Sequence, residues 1–251
     1  RHRCVKDSLA LSALILMESS VHRMLGCYSK NMDRFVVPSR FYLEKFVEWG
    51  WPRGRFAYIP NFVDVERLVP RGDPGKPFVY CGRLGPEKGL RTFVRATALA
   101  GVKGRIVGTG PEEEALRRLA EETGADVEFL GYRSGEALFD GMRNSRAMVL
   151  PSEWYENAPM SVMEAYALER PVIGAGIGGI PELISEGETG SLFKSGDVDD
   201  LAAKLRRYAD LSDSEIHEMG RAGRRWMEQD FTAERYRERL LGLYGEMGVA
   251  V

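Results

Sequence analysis

Phe78-Val79-Tyr80-Cys81-Gly82-Arg83-Leu84-Gly85-Pro86-Glu87-Lys88-Gly89-Leu90-Arg91-Thr92-Phe93-Val94-Arg95-Ala96-Thr97-Ala98-Leu99 contains the pattern that decides the fold. A short apolar run with β-branched and aromatic residues reads as a buried strand over 78–80. A Gly-rich turn follows, and 88–99 reads as a helix. The unit then repeats. Strands are expected at 104–108, 127–130, 147–150 and 171–173, and helices at 112–122, 135–144 and 160–168, with a short helical turn at 181–184. Strands and helices alternating at these lengths imply an α/β fold, a parallel sheet covered on both faces. In such sheets ligands bind outside the C-terminal ends of the strands. Residues 197–209, 212–228 and 232–246 also read as helices.

Upstream the pattern is less regular. Residues 7–29 read as one helix, with Leu14, Met17, Val21, Met24, Leu25 and Tyr28 at three- and four-residue spacing. Phe35-Val36-Val37 and 56–59 read as strands. Pro38-Ser39 offers an N-cap to a helix over 40–49 that Gly50 ends. Residues 64–76, with Pro70, Gly72, Pro74 and Gly75, read as a linker.

Composition narrows the function classes. The 251 residues are 44% hydrophobic and 29% charged, with 28 Gly and 12 Pro, which excludes disordered, collagenous and coiled-coil chains. A net charge of −2 supplies no overall basic field for nucleic acid. The charge is uneven, because residues 1–60 hold ten Lys/Arg against five Asp/Glu. Cys4, Cys27 and Cys81 form neither a disulfide framework nor a metal-binding spacing. The apolar run Leu9–Met17 is far shorter than the roughly 20 residues of a spanning helix. His2, His22 and His217 fit neither a metal site nor a Ser-His-Asp triad: His2 lies near an end, His22 flanks an apolar stripe, and His217 sits on a solvated helix.

The loops after the strands carry the chemistry. Gly82 to Gly89 place Arg83 and Lys88 on a Gly-rich loop that opens a helix, a favourable setting for an anion, although the G-x-x-x-x-G-K spacing fails. Gly108-Thr109-Gly110-Pro111 is a tight turn allowing close backbone approach. Gly174 to Gly179 match G-x-G-x-x-G, but the helix that follows is too short for a dinucleotide fingerprint. The strongest stretch is Leu150 to Ala165. A loop presents Glu156, a helix begins near Pro159, and free N–H groups at Met160 and Ser161 would face a bound anion. Glu164 lies just over one turn into that helix, among Val162, Met163 and Ala165. A carboxylate is a bidentate acceptor for vicinal hydroxyls.

In order, Gly82-Arg83-Leu84…Glu87-Lys88-Gly89, Gly108-x-Gly110-Pro111, Phe129-Leu130-Gly131, Glu156-x₇-Glu164 and Gly178-Gly179-Ile180-Pro181-Glu182 resemble retaining glycosyltransferases of family four, which have the GT-B fold. Val36-Val37-Pro38-Ser39 and Ile59-Pro60-Asn61-Phe62-Val63-Asp64 resemble the end of that family's N-terminal domain. The resemblance implies two Rossmann-like domains, the N-terminal one incomplete. Residues 1–66 would belong to the N-terminal acceptor domain, 67–76 to a linker, 77–228 to the nucleotide-sugar donor domain, and 229–251 to a helix crossing back. It further implies that Arg83 and Lys88 hold the donor diphosphate in place of a metal, and that Glu156 binds hydroxyls of the donor sugar; these three form the catalytic set. Glu164 would hold the ribose. Gly82, Gly108 and Gly110 would line the cleft, Gly131 and Arg133 would approach the base, and Asn157, Ala158, Pro159, Met160 and Ser161 would meet phosphate and sugar. No metal or cofactor is expected beyond the nucleotide-diphosphate sugar. The expected acceptor is a carbohydrate or a lipid-linked hydroxyl, with no nucleic acid.

Family members carry a Gly-rich loop, most of the acceptor site and a donor-contacting His upstream of the matching region, and His2 does not match that His. The expectation is therefore a donor half whose partner domain is incomplete, with Cys4 as the remnant of an upstream segment. Two alternatives stay open: donor binding without turnover, and another GT-B enzyme such as an epimerase or phosphorylase. For the latter, Lys194 and Lys204 lie outside any cofactor-lysine motif. The stripe at 9–25 reads as buried core of the incomplete domain, with peripheral contact at the inner face of a membrane as the second reading. The expected location is cytoplasmic.

Overall fold

The computed structural model describes residues 8–249. His2 and Cys4 lie outside the described residues. Two parallel sheets are present among the described residues. The small one pairs β1 (Phe35–Val37) with β2 (Phe56–Tyr58) in register Phe35↔Phe56. The large one holds β3 (Phe78–Cys81), β4 (Gly104–Val107), β5 (Val127–Gly131), β6 (Ala147–Leu150), β7 (Val172–Ala175) and β8 (Gly190–Phe193), in the order β5-β4-β3-β6-β7-β8. Within the sheet that order is 3-2-1-4-5-6, the doubly wound arrangement, so the strand order reverses between β3 and β6. All its pairings are parallel. β3, β6 and β7 are buried throughout, which is why they read in the sequence as unbroken apolar runs.

Helices follow the strands on both faces: α4 (Leu90–Ala100), α5 (Glu113–Thr123), α6 (Glu136–Arg143) and α7 (Met160–Ala167). Phe93, Val94, Leu116, Met142, Val162 and Met163 close the core over Phe78, Ile106, Met148 and Ile173. Then come α8 (Val198–Asp210), α9 (Asp213–Asp230) and α10 (Ala233–Glu246). Ser212 and Glu215 form a capping box that starts α9. α10 returns to the upstream residues, packing the Tyr236 ring at a tilt against Phe62, 5.2 Å between centroids.

Several details differ from the sequence expectations. The helix over 7–29 is two helices, α1 (Leu9–Leu25) and α2 (Cys27–Asn31), because Gly26 adopts φ 67° and caps the first. The helix expected from residue 88 starts at Leu90: Pro86–Lys88 form a 3-10 turn and Gly89 turns left-handed at φ 66°. Pro159 stands before α7 as its extended N-cap instead of inside its first turn. β8 was not expected. The apolar side chains of α1 are exposed, against their expected burial: Leu14 is 60% exposed and Met24 84%. Its main contact is with α2.

The segment 65–73 is held by arginines. Arg224 donates to the carbonyls of Val65 and Leu68 (3.1 and 2.8 Å), and Arg143 to Val69 (2.9 Å). Arg170 reaches Gly72 and Asp73 at 3.4 and 3.5 Å. These three guanidiniums pin a Pro/Gly-rich stretch whose composition alone suggests a loose tether.

Candidate functional site

The crevice lies where the strand order reverses. The loop after β3 (82–89) and the loop after β6 (151–159) leave neighbouring strand ends and meet. Gly89 makes the approach possible: a Cβ there would stand 1.8 Å from the carbonyl oxygen of Pro151. The two loops are joined at Glu153, whose N–H donates to the Glu87 carbonyl at 3.0 Å. At their tips Lys88 Nζ lies 2.7 Å from Glu156 Oε1, and Ser152 Oγ donates to the same oxygen at 2.7 Å. The Lys88 and Glu156 side chains are only 24% and 19% exposed. The expected phosphate-binding cation and the expected sugar-binding carboxylate therefore form one ion pair in the free chain. Arg83 is more open, at 62% side-chain exposure, and pairs with Glu87.

Beside this pair lies a cavity of about 640 Å³. Gly82, Arg83, Gly108, Gly110, Arg133, Ser161 and Glu164 line it, so the structure brings seven of the sequence-derived residues together. The glycines are sterically required. Gly108 adopts φ 140° and a Cβ would meet the Gly82 carbonyl oxygen at 1.9 Å; at Gly110 it would meet that of Leu84 at 2.4 Å. Gly131 does not line the cavity; its carbonyl accepts from Gly108 N–H at 2.8 Å and so fixes the turn that does.

Glu164 sits in the wall of this cavity, and burial pushes its carboxyl above the usual carboxylate range. No hydrogen bond or ion pair engages it among the described residues. A half-buried carboxylate facing an open cavity is an acceptor awaiting donors. Cys81, at the cavity floor, is pushed up to about 12, first by burial and then by the Glu164 charge. At the start of α7 the backbone has unused donors. Pro159 supplies no side-chain cap, and the first intrahelical bond is Val162 N–H to the Pro159 carbonyl at 3.2 Å. The N–H groups of Met160 and Ser161 are left for a ligand, at the positive end of the helix dipole.

Asn157, Ala158, Pro159 and Met160 do not line the cavity. Asn157 Oδ1 accepts from Ser39 Oγ at 2.6 Å, and the Ala158 carbonyl from Asn61 at 3.4 Å, so both face the upstream residues. Tyr132, in the loop expected near the base, also lines the cavity; sequence reasoning missed Ser152, which lies in a run of ordinary loop residues, and the cavity residues Thr109, Ser134, Leu138 and Met142. Thr109 and Ser134 owe their places to the turns after β4 and β5, and Leu138 and Met142 to the face that α6 presents, none of which composition reveals. Among the described residues no group of three His, Cys, Asp or Glu side chains could hold a metal ion, and no helix is long and apolar enough to cross a membrane.

The family model for glycosyl transferases group 1 matches residues 69–226, which contain this whole crevice. The chain belongs to the glycosyl transferases group 1. A sulfoquinovosyl transferase of Arabidopsis thaliana is 37% identical over 181 residues, 69% of this chain and 34% of the relative. A GDP-mannose-dependent monoacylated alpha-(1-6)-phosphatidylinositol monomannoside mannosyltransferase of Corynebacterium glutamicum is 28% identical over 85% of this chain and 62% of its own length. Among solved structures, Anabaena HepE in complex with UDP superposes with a TM-score of 0.78 at 19% identity, covering 85% of this chain and 64% of that one. Sucrose-phosphate synthase of Thermosynechococcus elongatus gives 0.78 at 25% identity, with coverages of 87% and 59%. The fold is thus that of GT-B glycosyltransferases, as the motif order implied. This group 1 chain spans about a third to three-fifths of the length of these curated relatives.

Proposed function

We propose that this chain carries the donor half of a retaining glycosyltransferase. The whole protein would move a hexosyl-type sugar from a nucleotide-diphosphate sugar to an acceptor hydroxyl in glycan, cell-wall or exopolysaccharide synthesis. The observation that carries the reading is the pairing of two features at one crevice: a glycine-walled cavity holding the unengaged carboxylate of Glu164, and the Lys88–Glu156 pair beside the uncapped start of α7.

In this reading the base and ribose occupy the cavity, with Arg133 toward the base and Glu164 accepting from the ribose hydroxyls. The diphosphate reaches Arg83, Lys88 and the N–H groups of Met160 and Ser161. Glu156, released from Lys88, accepts from hydroxyls of the donor sugar. The bond from the anomeric carbon to the β-phosphate oxygen breaks, and the bond to the acceptor oxygen forms on the same face. The acceptor's proton leaves with the diphosphate, whose developing charge is met by two cations and a helix N-terminus. No metal is assigned a part. UDP and GDP are the first nucleotides to try, since a structural neighbour was solved with UDP and a relative is named as GDP-mannose-dependent.

The acceptor is a carbohydrate or a lipid-linked hydroxyl. We place the enzyme on the cytoplasmic side, with α1 favouring an anionic membrane surface: Leu16 and Met17 are 68% and 64% exposed, and the segment that follows them carries Arg23, Lys30 and Arg34. The test is calorimetric titration with UDP, GDP and ADP in EDTA. Saturable binding of one of them is expected, and binding of none by the folded chain would overturn the reading. Donor hydrolysis assayed on the same sample separates turnover from binding alone.

A further inference from the structure

Glu156, on which donor-sugar recognition rests, is not held by its own loop alone. Gly179 N–H donates to the Glu156 carbonyl at 2.7 Å. A Cβ on Gly178 would come within 2.6 Å of that carbonyl oxygen, and one on Gly179 within 1.8 Å of the Asn157 carbonyl oxygen. The Gly178-Gly179 turn therefore packs against the loop backbone with no room to spare. Three residues on, Glu182 leaves the same 3-10 turn (Ile180–Leu183) and reaches across to α3 (Arg40–Glu48). Its carboxylate accepts from Arg40 N–H at 2.8 Å and from Phe41 N–H, the first two free donors of that helix. Ser39, the N-cap of α3, has a double role. Its hydroxyl accepts from Tyr42 N–H at 3.2 Å and donates to Asn157 Oδ1 at 2.6 Å. The Phe41 ring lies 4.9 Å from that of Tyr155, centroid to centroid. The start of α3 thus touches both sides of Glu156: residues 155 and 157 directly, and the Gly178-Gly179 turn through Glu182.

We infer that Glu182 and Ser39 are positioning residues for Glu156: the docked N-terminus of α3 sets where the sugar-binding carboxylate stands. The physical basis is a charged acceptor on two helix N–H groups, which is stronger and more directional than a neutral contact. Neither residue lines the cavity of about 640 Å³ assigned to base and ribose, and both have their polar groups engaged at the start of α3. This inference rests on the proposed role of Glu156 in holding the donor sugar. Its consequence is that sugar recognition and nucleotide recognition are separable, with only the first tied to the segment upstream of residue 64.

The experiment combines two readouts on the parent chain, Glu182→Gln and Ser39→Ala, with circular dichroism confirming the fold. The Gln variant keeps the shape but presents one acceptor oxygen to two donors. Hydrogen exchange should speed up at the Arg40 and Phe41 amides and also at Gly179. Titration should show affinity for UDP-glucose or GDP-mannose falling roughly fivefold or more, the lower end of typical coupling between sites. Affinity for the parent nucleoside diphosphate should stay within about twofold, since its contacts are untouched. Faster exchange at residues 40 and 41 with Gly179 unchanged would overturn the coupling. Equal losses for nucleotide and nucleotide sugar would also overturn it, since general loosening of the site would then explain the effect. If exchange changes as expected but no chain binds any nucleotide, the donor-site reading fails while the mechanical link stands.

Discussion

Replacing Lys88 by Ala isolates the contribution of one cation to nucleotide binding. A charge-assisted contact from Lys88 to the diphosphate is worth about 1.5–3 kcal/mol. The free chain offsets part of that. Lys88 already has a partner in Glu156, 2.7 Å away, and this partly exposed pair must be shared or exchanged when phosphate arrives. Such pairs contribute at most about 1 kcal/mol. Subtracting the full offset leaves about 0.5–2 kcal/mol, a loss of roughly two- to thirtyfold in affinity for a nucleoside diphosphate. A nucleoside lacking phosphates should lose nothing, and the parent's advantage over the variant should shrink as salt rises. Calorimetry of both proteins with UDP and GDP, each beside its nucleoside, measures this. A diphosphate affinity changed by less than about twofold, or an equal fall for the nucleoside, would remove Lys88 from the phosphate site.

Glu164→Gln should weaken nucleotides bearing both ribose hydroxyls by about tenfold and leave 2′-deoxy analogues nearly unchanged, since a charged acceptor is lost only where a donor met it. The same variant should be more stable than the parent at neutral pH. Burial raises the folded carboxyl's pKa, so the folded state holds its proton longer than the unfolded one, and the parent loses stability as pH rises from about 4.5 through the folded value. Thermal unfolding at pH 4 and pH 7 should show the variant's advantage only at the higher pH. Gly89→Ala combines φ 66° with a contact of 1.8 Å to the Pro151 carbonyl oxygen. Strain and overpacking together should cost about 2–4 kcal/mol, lowering the melting temperature by roughly 5–15 °C. Cys81, with its thiol pushed up to about 12, should resist a thiol reagent at pH 8 in the folded chain while Cys27 reacts. Mass spectrometry after brief labelling decides between them.

The large sheet was legible because buried parallel strands such as Phe78–Cys81 and Ala147–Leu150 are unbroken apolar runs between Gly- or Pro-bearing loops. β8 was not, because Gly190-Ser191-Leu192-Phe193 is short and half polar, and it becomes a strand only by pairing with β7. The break at Gly26 was also hidden, because the apolar spacing runs through it and only the backbone's left-handed turn divides the helix. At the site, Glu156, Glu164, Arg83 and Lys88 stood out by residue type and loop position. What the sequence could not show was their pairing. Lys88 and Glu156 are 68 positions apart and meet only because the strand order brings β3 beside β6. Asn157 illustrates the opposite case: its place beside Glu156 suggested a donor contact, yet its side chain turns to Ser39. Motif spacing locates a loop, and tertiary packing decides which way each side chain on it faces.

The most direct measurement is a crystal structure of the chain with the nucleoside diphosphate it binds. The account predicts the ribose hydroxyls on the Glu164 carboxylate, and the phosphates within hydrogen-bond reach of Met160 N–H, Ser161 N–H and Lys88 Nζ, with the Lys88–Glu156 pair opened. A nucleotide bound outside this crevice, or lying with its base toward Lys88 and its phosphates away from the start of α7, would contradict it.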